Sequence, residues 1–393
     1  MKFLFKFFFI LIFITFSESQ DWNTSRKIEF HKFKIPYTPP YLKPVFDPIN
    51  KIKITRITDY KIFENTYPKH AYSKNQPFNC DSTIIKLETK WLLNGKTYKI
   101  LEKLPKKFHF STSIWSHKNP NILYIFRNDG KIISYDIKKR VSKLLIHIKG
   151  FDRVTLGPGE GNISLDDKYA ALACKKGKDL YIIVINLHKK NIISVKTFKN
   201  KWGDSYKPKG FDWVSISPLG KYIVILWNKK IKNKFKSSNV EVYKSKDISF
   251  HQTLYDYGNH GDLCLDEKGK EVYVQFAGKG SVNSYYLDKK ESKILYKNLE
   301  FEIGSSRHIS CRNYKKKGWC VITTEKEKLI VTLKLDGSGK LVYITSHNST
   351  QSTYKKSSMG VSDPIGEKIM FTSDLGDKRE EVAYEFIAER IKE

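Results

Sequence analysis

The chain has little from which to build several familiar kinds of site. Five cysteines in 393 residues is an odd count and too sparse for a disulfide-built scaffold. Neither G-x-x-x-x-G-K-[ST] nor G-x-G-x-x-G ahead of a helix occurs, so GPGEGNIS (Gly157 to Ser164) reads as a sharp turn into a strand that holds Glu160 at its tip. There is no G-x-S-x-G elbow and no H-E-x-x-H, which leaves a serine hydrolase and a zinc protease without sequence support. After the first nineteen residues no apolar run approaches the roughly 20 residues that a membrane-crossing helix needs.

Those first nineteen residues read as a signal peptide. Lys2 and Lys6 supply the positive region, Phe7 to Phe16 the apolar stretch, and Ser17-Glu18-Ser19 a small-x-small cleavage site. A stretch of ten residues is too short to span a bilayer of about 30 Å, and Gln20 and Asp21, rather than a cysteine, follow the cut. The expectation is a periplasmic or secreted protein with no transmembrane segment.

Charge is lopsided. Lys and Arg number 71 against 41 Asp and Glu, a formal charge of +30. The lysines are scattered over turns such as KKNIISVK and YKKKG, which reads as a solvated surface that draws polyanions at low salt, without specific nucleic-acid recognition.

What the chain does have is a repeat. Seven copies of one phrase, a polar opening, a short apolar strand, a turn and a more hydrophobic strand, run from Gln76 to Asp374; SIWSHKNPNILYIF, VSISPLGKYIVILW and MGVSDPIGEKIMFTSD are examples. Six steps separate the turns at Asp81 and Asp363, averaging 47 residues. A period of about 40–50 residues with four strands per unit marks a β-propeller. The expected fold is all-β, a seven-bladed propeller of four-stranded antiparallel blades. Residues 1–19 are the signal peptide, 20–50 a Pro- and aromatic-rich lead with too many prolines for a strand, and 51–393 the propeller, expected as a monomer. KIKITRITDY (Lys51 to Tyr60) alternates as an edge strand does, and the last blade runs short of chain, so the two ends should pair and close the ring.

Cys311 and Cys320 stand at mirror positions about one hairpin turn. They read either as a disulfide or as two buried thiols; Cys80, Cys174 and Cys264 read as core thiols.

A propeller delivers the residue just before each innermost strand to the mouth of its channel. That rule collects Lys74 and Gln76, Trp115, Glu160, Asp212, His260 and Asp262, Arg307 and His308, and Ser357 and Ser358. Lys74, Gln76, Glu160, Asp212, Trp213 and Asp262 are therefore the candidate ligand-binding residues. Imidazoles with carboxylates suit a divalent metal, Mn or Ca, so His260 and His308 are candidate ligands, set against mutual hydrogen bonding in a polar channel. Arg307, His308 and His260 are the candidate catalytic group, since a guanidinium grips a carboxylate and a neighbouring imidazole moves a proton. Pairing of Arg307 with Glu160 or Asp212 is the competing reading.

The phrases ITRITD, HAYSKNQPFNCDS, SISPLGKYIVI and VSDPIGEKIMFTSDLGD resemble those of exported bacterial propellers of the TolB-like, WD-repeat-like superfamily. Within it the stretch from Tyr72 to Asp81 is similar to the first blade of oligogalacturonate lyases. That resemblance implies a seven-bladed ring whose channel mouth holds a metal through several His and a Gln, with an Arg near the abstracted proton. Where those enzymes carry a His-x-His pair before the last blade, this chain has Lys355-Lys356-Ser357-Ser358. Two functions follow as expectations. The first is a non-catalytic propeller, needing no cofactor, that binds a protein or acidic polysaccharide at its channel face. The second is a metal-assisted uronide lyase or related carbohydrate-active enzyme using Arg307, His308 and His260.

Overall fold

In the strand Tyr169–Lys176, Ala170, Leu172 and Cys174 point one way, Ala171 and Ala173 the other, and all five are buried. A strand apolar on both faces has to be sandwiched. Here Leu172 and Cys174 pack with Phe126 and Ile114, while Ala171 and Ala173 pack with Val214 and Ile225 of the next unit along the chain. The same division recurs around the molecule. Seven apolar clusters among the described residues fill the seven seams between successive sheets, the last joining Met370 and Ile387 to Phe78 and Ile85. The result is the seven-bladed ring that the repeat predicts.

The structure, a computed structural model, describes residues 31–64, 68–88, 90–108, 111–203, 209–231, 234–255, 260–277, 281–297, 308–379 and 382–391. The signal-peptide segment and Arg307 lie outside the described residues. No described helix is long and apolar enough to cross a membrane.

Blades 2 to 6 are four-stranded antiparallel sheets whose innermost strands are Ser111–Trp115, Arg153–Thr155, Lys209–Ile216, Gly261–Leu265 and His308–Ser310. Blade 1 has three strands, and its innermost segment touches the sheet through the bridge Phe78 to Ile85. Blade 7 has five. From the axis outward these are Val361–Ser362, Lys368–Ser373, Tyr384–Arg390, then Ile52–Arg56 and Pro44–Asp47 from the start of the chain. Ile52 pairs with Arg390 and Arg56 with Phe386, so the two ends close the ring. The lead thus contains a strand that its prolines argued against. Pro44 is tolerated because it is the first residue of the outermost strand, where no ladder hydrogen bond is lost.

All five cysteines are free and buried. The pairing of His308 with Thr323 and Ser310 with Val321 carries on to set Cys311 across from Cys320, as their spacing predicts, yet the two thiols are not bonded.

Candidate functional site at the channel mouth

The segment 68–76, ahead of the first blade, is too polar for a core: it reads PKHAYSKNQ. It lies across the axis of the ring, because its side chains reach blades on opposite sides. His70 Nδ1 sits 2.7 Å from Glu385 Oε2 and Nε2 2.8 Å from the Met359 carbonyl, both on blade 7. Farther along, the Lys74 carbonyl accepts from Asn162 Nδ2 on blade 3 at 2.9 Å. Gln76 Nε2 donates to the carbonyls of Arg312 and Ser362 at 2.8 and 3.0 Å. Buried polar groups are tolerable only when paired, and the loop ends facing the axis offer the partners that this strip consumes.

Above the strip is a pit of charged and aromatic groups. Lys74 Nζ donates to Glu160 Oε2 at 2.8 Å and lies 4.2 Å from the Trp213 ring centroid and 5.5 Å from that of Tyr72. The Tyr72 hydroxyl and His260 Nδ1 are 2.9 Å apart, and the His260 and His308 rings meet edge to face at 4.9 Å. Tyr72, Glu160, Asp212 and His260 are half-buried and form the accessible surface, whereas Lys74, Trp213 and His308 are buried beneath.

Local backbone chemistry sets these positions. Glu160 caps the single turn Gly157–Gly159, its N–H donating to the Gly157 carbonyl at 2.9 Å. Gly157 has φ +54°, and a Cβ there would come within 2.1 Å of the Val214 carbonyl oxygen, so the loop seats on blade 4 only with glycine. Asp212 and Trp213 follow a register shift in the strand Lys209–Ile216, at which Phe211 pairs with Trp227 and Trp213 with Leu226.

Electrostatics separate the two carboxyls. Burial, and then the negative Glu160, push Asp212 up to about 6, while Lys74 pulls the other way. Burial holds His308 well below the usual imidazole range, with His260, Lys69 and Lys74 adding to the effect, so its ring is neutral at pH 7. Desolvation also raises the Tyr72 hydroxyl well above its ordinary range. The pit therefore offers an acid raised to about 6, a second carboxyl, an imidazole and a phenol within one cluster. Groups tuned apart in this way suit proton transfer or the binding of hydroxyl-rich ligands.

Of the residues expected at the mouth, Lys74, Glu160, Asp212, Trp213, His260 and His308 come together. Gln76 lies deeper, tying the strip to blades 6 and 7. Asp262 is inside its blade: both carboxylate oxygens are taken by Arg312 and by the Cys311 N–H. Trp115 is buried, with its Nε1 donating to the Pro77 carbonyl at 2.9 Å. Ser357 Oγ stands 3.2 Å from His308 Nε2, and Ser358 is buried. His70 and Tyr72 were not foreseen, although a polar run just ahead of an innermost strand was the available signal.

No protein-family model matches the sequence, and no curated protein matches it. Solved structures do. An oligogalacturonate lyase in complex with manganese superposes with a TM-score of 0.63 at 11% identity, covering 89% of this chain and 96% of its own. A second oligogalacturonate lyase, from Vibrio parahaemolyticus, gives 0.61 at 11% identity over 88% and 96%. The likeness is one of fold. It agrees with the resemblance carried by the first-blade phrase, and the manganese belongs to the neighbour.

Whether the residues here fit such a metal can be judged from the donors. Two imidazoles, His260 and His308, are adjacent, but Ser357 faces His308 from the last blade where the resemblance implies histidine. Among the described residues no three His, Cys, Asp or Glu side chains converge in a way that would hold an ion. The described donor set does not fit such an ion.

Proposed function

We propose that the protein is an exported, periplasmic or secreted propeller that binds an acidic glycan at its channel mouth without cleaving it. The observation behind this reading is the pit around Lys74. Its half-exposed Glu160, Tyr72 and His260 are fixed by hydrogen bonds before any ligand arrives, which lowers the ordering cost of binding. Carboxylates and a phenol pair with sugar hydroxyls, and the +30 charge of the whole chain draws a polyanion toward the face.

Calorimetric titration with galacturonate and alginate oligomers, beside neutral cello-oligomers, tests the proposal. The acidic series should bind saturably and weaken with salt; no saturable heat from either acidic series removes the reading. A second reading, a uronide lyase or related carbohydrate-active enzyme, is favoured by Asp212, pushed up to about 6, and by the Tyr72 hydroxyl that meets His260. It requires the absorbance of an unsaturated uronide to grow in the same mixtures, with or without added Mn or Ca.

A further inference from the structure

A cavity of about 380 Å³ opens on the seam of blades 3 and 4, away from the pit. Three of its walls are aromatic. Phe198, at the end of the strand Asn191–Phe198, meets Trp227 at 5.3 Å and 61° and Tyr243 at 5.7 Å and 85°. Phe198 is tilted against Trp227 and nearly perpendicular to Tyr243, so the rings form adjoining walls of a box. The strand pairing shifts register at Trp227, which turns its indole toward the neighbouring strand. There Glu241 Oε2 accepts from Trp227 Nε1 at 2.6 Å and from the Tyr243 hydroxyl at 2.5 Å. A carboxylate so held is a fixed negative charge in the wall of an aromatic box.

The chain's own cations are already drawn to these rings. Lys201 Nζ lies 5.7 Å from the Trp227 centroid, and Lys196 Nζ 5.1 Å from Tyr243, tethered by the Ile248 carbonyl at 3.0 Å. Lys196 does not line the cavity, whereas the exposed Lys201 does, at the rim.

The geometry points to a second ligand site here, shaped for a small betaine-type zwitterion carrying a quaternary ammonium and a carboxylate. Aromatic faces and a carboxylate satisfy a cation that has no N–H to donate, which is the chemistry of a quaternary ammonium. The carboxylate of the zwitterion would meet Lys201 at the rim. On a chain of charge +30 that second half matters, because a bare cation is repelled at long range. This site does not rest on the channel-mouth reading.

Ligand-observed NMR on the full chain tests it, with glycine betaine as probe and choline and acetate as its two halves. Betaine should bind saturably and more tightly than either half. Phe198→Ala should weaken it roughly tenfold, and so should Glu241→Gln, which keeps the wall's shape and removes its charge. Lys201→Ala should weaken betaine and strengthen choline, which loses a repelling charge at the rim. No saturable betaine binding, equal binding by wild type and a folded Glu241→Gln protein, or choline binding better than betaine would each overturn the inference.

Discussion

Replacing Arg312 by Met destabilises the folded ring by about 3–5 kcal/mol, because it strands a buried carboxylate. Asp262 is 2% exposed. Its Oδ1 accepts from Arg312 Nη2 at 2.9 Å, and its Oδ2 from Arg312 Nε at 3.1 Å and the Cys311 N–H at 2.7 Å. The same guanidinium donates to the Leu263 carbonyl, and the Arg312 carbonyl receives Gln76. The Arg312 side chain thus links blades 5 and 6, and its main-chain carbonyl holds the strip across the channel. Burial pushes the Asp262 carboxyl up to about 7 even with Arg312 beside it. A carboxyl whose folded pKa is raised binds protons more readily in the native state, so its ionisation costs stability as pH rises toward and through about 7. The loss in Arg312→Met should accordingly be larger at pH 8 than at pH 5 in urea unfolding. Adding Asp262→Leu should recover most of it, since the buried charge is then gone altogether.

Lys74→Met should weaken acidic-glycan binding at least tenfold. Lys74 is the cation of the pit: it neutralises Glu160 at 2.8 Å and opposes the rise in Asp212. A unit charge at about 4 Å near a protein surface is worth roughly 4 kcal/mol before screening, and a third of that is already a factor of ten. Met fills a similar volume over Trp213, so folding is little disturbed while two carboxylates lose their counter-charge. Unchanged affinity in calorimetry would place the glycan elsewhere on the molecule.

Much of the ring was legible in the sequence. Strands such as YAALAC and YIVILW are apolar on both faces, which only stacked sheets accommodate, and an alternating strand near the start matched a last blade short of chain. The rule that collects residues near the start of each innermost strand gathered Glu160, Asp212, His260 and His308, which lie near one another, although Asp212 is inside the strand Lys209–Ile216, His308 opens His308–Ser310 and Glu160 follows Arg153–Thr155. It misplaced Asp262 in depth, since the strand Gly261–Leu265 begins one residue earlier and turns that carboxylate into the blade. Lys74 and Gln76 were collected too, but the course of the strip 68–76 across the axis was beyond reach for a different reason. Its partners are distant in the chain: His70 and Glu385 are 315 residues apart, Gln76 and Ser362 286, and no local pattern encodes such pairs. The boxed aromatics of blade 4 were equally hidden, for they depend on a register shift at Trp227 that alternation does not foretell.

The most direct test of the channel-mouth account is the pH dependence of tetragalacturonate affinity, measured by calorimetry from pH 4.5 to 8 for wild type and Asp212→Asn. Asp212 titrates near 6, far above an ordinary aspartate, while uronide carboxyls stay ionised over nearly all of that range. Protonation below about 6 removes a negative charge facing an anionic ligand and supplies a donor to it. Wild-type affinity should therefore rise by roughly tenfold as pH falls through 6, worth about 1.4 kcal/mol, and most of that rise should vanish in Asp212→Asn. An identical rise in both proteins, or a wild-type affinity that drops as the solution is made more acidic, would contradict it.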